Sequence, residues 1–264
     1  MRGRVLVVAG SDSGGGAGIQ ADIKTITALG AYAATAITAL TAQDTWGVHG
    51  IMAVPAGFVV AQMHAVLDDI GADVVKTGML GDAALIEAVC DALGPGRLVV
   101  VDPVMVATSG DRLLDPAALD TLRRRLLPMA AVLTPNLPEA EALTGMRITG
   151  EADMVESARA LLGMGPGAVL LKGGHLDGES CADLLMTADG TEVFRAPRIA
   201  TRNTHGTGCT LASAIAAGLA QGLPLSPAVA RAHAYVQAAI ASAPGYGGGH
   251  GPLDHATWIA ARSA

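Results

Sequence analysis

The stretch "RVLVVAGSDSGGGAGIQADIKTITALG", residues 4–30, sets the architecture. It opens on "RVLVVA", a continuous apolar run of the kind that inner strands of a parallel sheet show, because both of their faces are buried. Glycine ends the run, and a turn rich in glycine occupies 10–18. Ile19, Ile23, Ile26 and Leu29 then recur at helical spacing, with Gly30 as the stop. Strand, turn and helix in that order make the first half of a βαβ unit.

The same order repeats along the chain. "ATAITAL" (34–40) reads as the next strand. "PAGFVVAQMHAVLDDIG" (55–71) reads as a helix with Pro55 near its start and Gly71 after its end. "DVVKTG" (73–78) and "RLVVVDPV" (97–104) are further strands, separated by the helix "DAALIEAVCDALG" (82–94). "AAVLTPN" (130–136) and "GAVLLKGG" (167–174) continue the series. In "CADLLMTADGTEVFRAPRI" (181–199), the "ADG" between two apolar segments signals a β-hairpin. After "NTHGTGC" (203–209) come two Ala-rich helices, a glycine-rich loop "GYGGGHGP" (245–252) and a short last helix. No linker or fixed-period repeat interrupts the chain. The expectation is one α/β domain over residues 1–264. It has a central, mostly parallel sheet with helices on both faces, plus a small β-hairpin.

Composition narrows the function. Hydrophobic residues make up 51% of the chain but aromatics only 3%, so the core must be built from Ala, Val, Leu, Ile and Met. Net charge is −7 and there is no long basic run, which argues against nucleic acid or an anionic membrane as partner. Cys90, Cys181 and Cys209 are far apart and form no C-x-x-C pair, as in a reduced, cytoplasmic protein. The run "VLVVA" is too short for a signal segment, and no stretch is long and apolar enough to span a bilayer.

In a doubly wound sheet, ligands lie beyond the carboxyl ends of the strands. The segments there are 10–18, 41–45, 76–80, 102–111, 134–139, "KGGH" (172–175) and 203–209, and they hold most of the unusual polar and glycine residues. The first loop invites a dinucleotide reading, but its G-x-x-x-G-G-G-x-G spacing departs from G-x-G-x-x-G. "GTGC" (206–209) is more telling. Gly206 and Gly208 permit positive φ, so successive N–H groups can face one concavity at a helix start, a seat for an anion. The plainer alternative is a helix cap with Thr207 supplying the hydroxyl. Cys209 then stands where the helix end is expected to lower its pKa. A thiol nucleophile with His205 as its base is a third reading.

"NTHGTGCTLASAIAAGLA" resembles the C-terminal signature of ribokinase-like kinases, in the form found in the hydroxymethylpyrimidine/phosphomethylpyrimidine kinases of thiamine biosynthesis. "VAGSDSGGGAGIQADIKTITALGAY", "ITALTAQDTWGV", "KTGML", "VVDPVMVATSGDRLL", "LTPNLPEAEALTG", "LLKGGHL" and "GHGPLDH" match that family in order, so the resemblance covers nearly the whole chain. It implies a ribokinase-like fold, often homodimeric. The implied reaction moves the γ-phosphoryl of MgATP onto 4-amino-5-hydroxymethyl-2-methylpyrimidine, and then another onto the monophosphate. It places Gly10, Gln43, Met79 and Val106 around the pyrimidine. Asn136, Lys172 and Thr207 fall to ATP, and Glu139 with Asp102 to Mg²⁺. Gly206, Thr207, Gly208, Lys172 and Cys209 form the catalytic end. For Met79 and Val106 the plain alternative is core, for Asn136 an N-cap, and for Glu139 a solvated helix face. Most ribokinase-like enzymes carry Asp, read as the general base, where Cys209 stands. Two rivals remain at this level: a pyridoxal kinase, and a nicotinamide-dependent oxidoreductase resting on the first glycine loop alone.

Overall fold

In strand β1 (Arg4–Asp12), alternate side chains leave opposite faces of the pleat. Val5, Val7 and Ala9 enter one hydrophobic layer, and Leu6 and Val8 the other. The apolar run is therefore buried on both sides, as its sequence requires. Helix α1 (Gly18–Ala28) returns over the first layer with Ile19 and Ile26. Ile23, one member of the expected apolar stripe, instead stands 38% exposed. The computed structural model describes residues 2–107, 109–174, 176 and 178–259.

The remaining elements follow in chain order: β2 (Tyr32–Gln43), β3 (Val48–Ala53), α2 (Ala56–Asp69), β4 (Val74–Thr77), α3 (Ala83–Leu93) and β5 (Val99–Val101). A run of short helical turns over 116–129 contains α4 (Leu119–Thr121). Then come β6 (Ala130–Leu133), α5 (Leu137–Thr144), α6 (Glu151–Leu162), β7 (Ala168–Lys172), β8 (Ser180–Thr187), β9 (Gly190–Pro197), α7 (Thr207–Ala220) and α8 (Leu225–Ala241).

One sheet runs β3-β2-β1-β4-β5-β6-β7-β8-β9. From β2 to β7 the neighbours pair in parallel, while β3, β8 and β9 join antiparallel at the two margins. The hairpin read at "ADG" is β8–β9, closing through Thr187 and Gly190. Helices α1, α7 and α8 cover one face, and α2, α3, α5 and α6 the other. The alanines of α7 matter here. Ala212, Ala214, Ala216 and Ala217 are fully buried, and a side chain on Gly218 would crowd Ala228 of α8. Small residues let α7 sit close to both sheet and α8, which holds its first turn firmly at the carboxyl end of β4 and β5.

Three elements lie outside the sequence expectation. β2 is longer than "ATAITAL" and pairs with β3, whose residues "VHGIMA" are almost all exposed and carry no clean apolar alternation. The turns over 116–129 and α6 have no counterpart in the sequence reading, whereas α5 begins at the N-cap that the plain alternative for Asn136 implied. The last helix is described only over 257–259.

Candidate active site

The rim segments converge on a cavity of about 660 Å³. It is lined by Gly10, Gln43, Met79, Asp102, Val106, Asn136, Glu139, Lys172, Gly206, Thr207, Gly208 and Cys209, so every residue singled out from sequence borders one space. Of the rim segments, His175 and Thr108 lie outside the described residues.

The start of α7 is built around Gly206, which caps the helix in the left-handed region at φ 80°. A Cβ there would overlap the Gly16 carbonyl oxygen, so only glycine allows this loop to meet the first glycine loop. Thr207 is not the cap, contrary to the plainer reading. Its N–H and its hydroxyl both donate to the Thr204 carbonyl, at 3.2 and 2.7 Å. Its hydroxyl proton is thereby committed. Among the described residues, the N–H groups of Gly206, Gly208 and Cys209 meet no acceptor. Open N–H groups at the positive end of a fourteen-residue helix make an anion seat.

A cation faces that seat. Lys172 Nζ lies 3.1 Å from Asp102 Oδ1 and 4.0 Å from Glu139 Oε2. A Cβ on Gly208 would come within 3.1 Å of the same ammonium, so glycine again permits the approach. Burial alone would lower the Lys172 pKa, but Asp102 and Glu139 outweigh it and raise it, keeping the ammonium charged. Asn136 is the N-cap of α5 and Glu139 closes the capping box, each accepting the other's N–H at 2.8 Å. The expected alternative of a solvated face for Glu139 is overturned, since the residue is 6% exposed. Burial pushes its carboxyl up to about 7, opposed by Lys172.

Cys209 requires a correction. The helix end was expected to make the thiol acidic, but burial pushes it up to about 12, with Asp22 and Asp102 adding to the rise and Lys76 opposing it. The nearby Gly18 backbone pulls the other way but more weakly. Cys209 keeps some contact with the cavity, yet desolvation of the thiolate by the surrounding protein costs more than the helix start returns. The reading of His205 as its base gains no contact in its favour: among the described residues the ring bonds to Asp12, and no hydrogen bond joins it to Cys209. His205 Nε2 is 2.8 Å from Asp12 Oδ2, and the same carboxylate accepts N–H groups from Gly14, Gly16 and Ala17 at 2.8–3.0 Å. Asp12 thus folds the first glycine loop around itself and ties it to the second. A loop wrapped on its own carboxylate leaves those N–H groups unavailable to a pyrophosphate, which removes the support for a nicotinamide dinucleotide.

At the other side of the cavity, a Cβ on Gly10 would stand 3.2 Å from Met79 Sδ. Gln43 Oε1 accepts from Thr41 Oγ1 at 3.1 Å, leaving its amide N–H groups for a ligand. Met79 is buried, whereas Val106 is 48% exposed and is no core residue.

Sequence reasoning missed three groups. Asp12 was legible in principle, because Asp before Ser-Gly favours a side-chain turn. The buried pair Lys76–Asp22 (3.0 Å), with Ser213 Oγ donating to Asp22 at 2.7 Å, left no local signal. Burial by itself would lower the Lys76 pKa, but Asp22, Cys209 and Asp102 raise it. Asp183 and His233, 3.8 Å apart, line the cavity with Arg198 and Gln237 and come from β8, α8 and the loop after β9.

The sequence matches the family model "Phosphomethylpyrimidine kinase" over residues 12–254. It is 56% identical to the thiamine biosynthesis bifunctional protein ThiED of Geobacter sulfurreducens over 96% of this chain, and spans about half (52%) of that longer protein. It is 52% identical to the hydroxymethylpyrimidine/phosphomethylpyrimidine kinase of Streptomyces coelicolor over 95% of this chain and 93% of that one. Among solved structures, the ADP complex of Bacillus subtilis pyridoxal kinase superposes with a TM-score of 0.91 at 35% identity, covering 98% of this chain and 100% of that chain. A ribokinase-like fold, an anion seat faced by a charged lysine, and identity above one half to a pyrimidine kinase converge on one assignment: this chain belongs to the phosphomethylpyrimidine kinase family of phosphotransferases.

Proposed function

We propose that the chain transfers the γ-phosphoryl group of ATP to the hydroxymethyl oxygen of 4-amino-5-hydroxymethyl-2-methylpyrimidine, and then a second one to the monophosphate, in the same cavity. The observation that carries this is the open first turn of α7, with its free N–H groups set against Lys172. Phosphoryl transfer needs positioning and charge neutralisation more than covalent help, and this geometry supplies both. The phosphoryl group sits on the Gly206, Gly208 and Cys209 N–H groups, and Lys172 moves its charge from Asp102 toward the incoming oxygens. Gln43 reads the aminopyrimidine edge, while Met79, Gly10 and Val106 enclose the ring.

No cluster of three or more His, Cys, Asp or Glu side chains gathers among the described residues. The cavity instead offers two carboxylates, Glu139 and Asp102, which fits Mg²⁺ because that ion keeps most of its waters and takes few protein ligands. Held there, Mg²⁺ would neutralise phosphate charge. Cys209 acts here as a neutral group beside the acceptor. Ionising a thiol of pKa about 12 at pH 8 costs about 5 kcal/mol.

Pyridoxal is the specific alternative substrate, since the Bacillus subtilis neighbour is named a pyridoxal kinase. Turnover of the pyrimidine alcohol, its monophosphate and pyridoxal, measured side by side, tests the reading. Preference for pyridoxal refutes the substrate assignment. Loss of only one phosphorylation step in a Gln43 variant refutes the single cavity. A homodimer in the cytoplasm belongs to the same reading, and light scattering in solution checks the assembly.

A further inference from the structure

Thr210 follows Cys209 on α7 and is wholly buried. Its Oγ1 lies 2.8 Å from the Gly206 carbonyl oxygen and 3.0 Å from His255 Nε2. Two oxygens attract at that distance only with a proton between them, and the carbonyl has none to give. The Thr210 proton therefore points at Gly206. The hydroxyl can then only accept from His255, so Nε2 carries the ring proton. Burial, with Lys24 nearby, pushes this imidazole down to about 4 against a weaker opposite pull from Asp254, so it is neutral and holds a single N–H.

His255 is itself anchored. The Tyr235 hydroxyl of α8 donates to its carbonyl at 2.7 Å, and the Asp254 N–H donates to Ala239 at 3.0 Å. The same segment reaches the site at other points. His205 N–H donates to the Gly251 carbonyl at 3.1 Å, and Thr45 accepts the His250 and Gly249 N–H groups at 2.8 and 3.2 Å.

We infer that His255 is a positioning residue for phosphoryl transfer: it locks the Thr210 hydroxyl onto the Gly206 carbonyl and so fixes the peptide plane at the mouth of α7. That plane carries the Thr207 N–H, and the next two peptide planes of the turn, which present the Gly208 and Cys209 N–H groups, continue from it. The Gly206 carbonyl also accepts the Thr210 N–H at 2.9 Å, so one residue grips it twice. Without the imidazole, the buried hydroxyl loses its donor, and only its own bond to Gly206 still holds its rotamer. His255 touches no substrate in this arrangement and acts only through Thr210.

The inference rests on the reading of the α7 start as the phosphoryl seat. Its test uses the whole chain carrying His255→Ala, His255→Gln, Thr210→Val, the Ala/Val double substitution and, separately, Gly208→Ala. Single-turnover transfer, calorimetric binding of the pyrimidine and thermal unfolding are measured for each. His255→Ala and Thr210→Val should each slow transfer about tenfold, the worth of one neutral hydrogen bond, and leave pyrimidine affinity unchanged. The double variant should be no slower than either single one. His255→Gln, whose amide can donate from a similar place, should restore most of the rate. Multiplying effects, no rescue by glutamine, or pyrimidine affinity falling in step with rate overturns the inference. If Gly208→Ala slows transfer and neither His255→Ala nor Thr210→Val does, the seat stands and this inference alone falls. If Gly208→Ala transfers at the parental rate, the phosphoryl seat itself is misplaced and the inference falls with it.

Discussion

Replacing Cys209 by alanine separates two chemistries that look alike in a static site. A thiol pushed to about 12 is ionised in only about one molecule in 10⁴ at pH 8. If that rare thiolate removed the acceptor proton, the parental rate would climb tenfold for each pH unit through the neutral range. The alanine variant would then lose that slope and fall by 10³ or more. If the thiol is a neutral neighbour, alanine removes one weak contact and a little packing. That is about 1 kcal/mol, or less than tenfold in rate. The expected result is the second: single-turnover rates from pH 6 to 10 that run parallel for the parent and Cys209→Ala, offset by less than tenfold. Cys209→Asp should keep part of the activity, because Lys76 lies close enough to compensate a carboxylate. Alkylation gives an independent reading. Against the ordinary thiol value of 9.0, a pKa of about 12 predicts that iodoacetamide modifies Cys209 about 10³-fold more slowly in the folded enzyme than in the unfolded chain. A parental rate with unit slope, abolished in the alanine variant, would refute the argument.

Three further outcomes follow from the same geometry. Glu139→Gln and Lys172→Ala should each lower kcat by on the order of 10²–10³ while calorimetry finds the pyrimidine bound as before, because both act where phosphate charge is neutralised; a large loss of pyrimidine affinity would place them at the wrong end. Lys76→Met strands the fully buried Asp22 carboxylate and should cost about 3–5 kcal/mol in urea unfolding, with Asp22→Asn on the same chain recovering much of it; a cost under about 1 kcal/mol would show the pair to be dispensable. Gly206→Ala forces a side chain into the Gly16 carbonyl at a left-handed position, and should abolish transfer and lower the unfolding midpoint; a parental rate would mean the two glycine loops separate at little cost.

The βα rhythm and the rim residues were legible because their causes are local. Val5 to Ala9 had to be an inner strand, and Gly206 with Gly208 had to open a helix, whatever the rest of the chain did. β3 escaped notice because an exposed margin strand carries no apolar alternation. The acidity of Cys209 is not legible for a related reason: the helix start is visible in sequence, but the burial that outweighs it, and the Asp22 and Asp102 charges that add to it, exist only in the folded chain. Lys76 likewise reads as an ordinary charged residue after a strand. Its counter-charge Asp22 is 54 positions away, and only the folded sheet brings them together. His255 stands in the stretch "GHGPLDH" that carries the resemblance, but no role for it is legible there, since its contact is with a threonine inside another helix.

The two glycine loops and the segment over 249–255 meet across very long stretches of chain. Asp12 bonds to a residue 193 positions later, and Thr45 to one 204 positions later. Closing such loops is entropically slow and is rewarded only after the intervening sheet has formed. The catalytic centre therefore belongs to the late-assembling part of the fold, behind the local β1–α1 and α7–α8 pairings. A growing chain on the ribosome carries all of the named strands, which end at Pro197, before it carries the α7 start at Thr207. In the finished enzyme the same contacts should be the first to open in native-state hydrogen exchange, and the site should come apart ahead of the sheet that carries it.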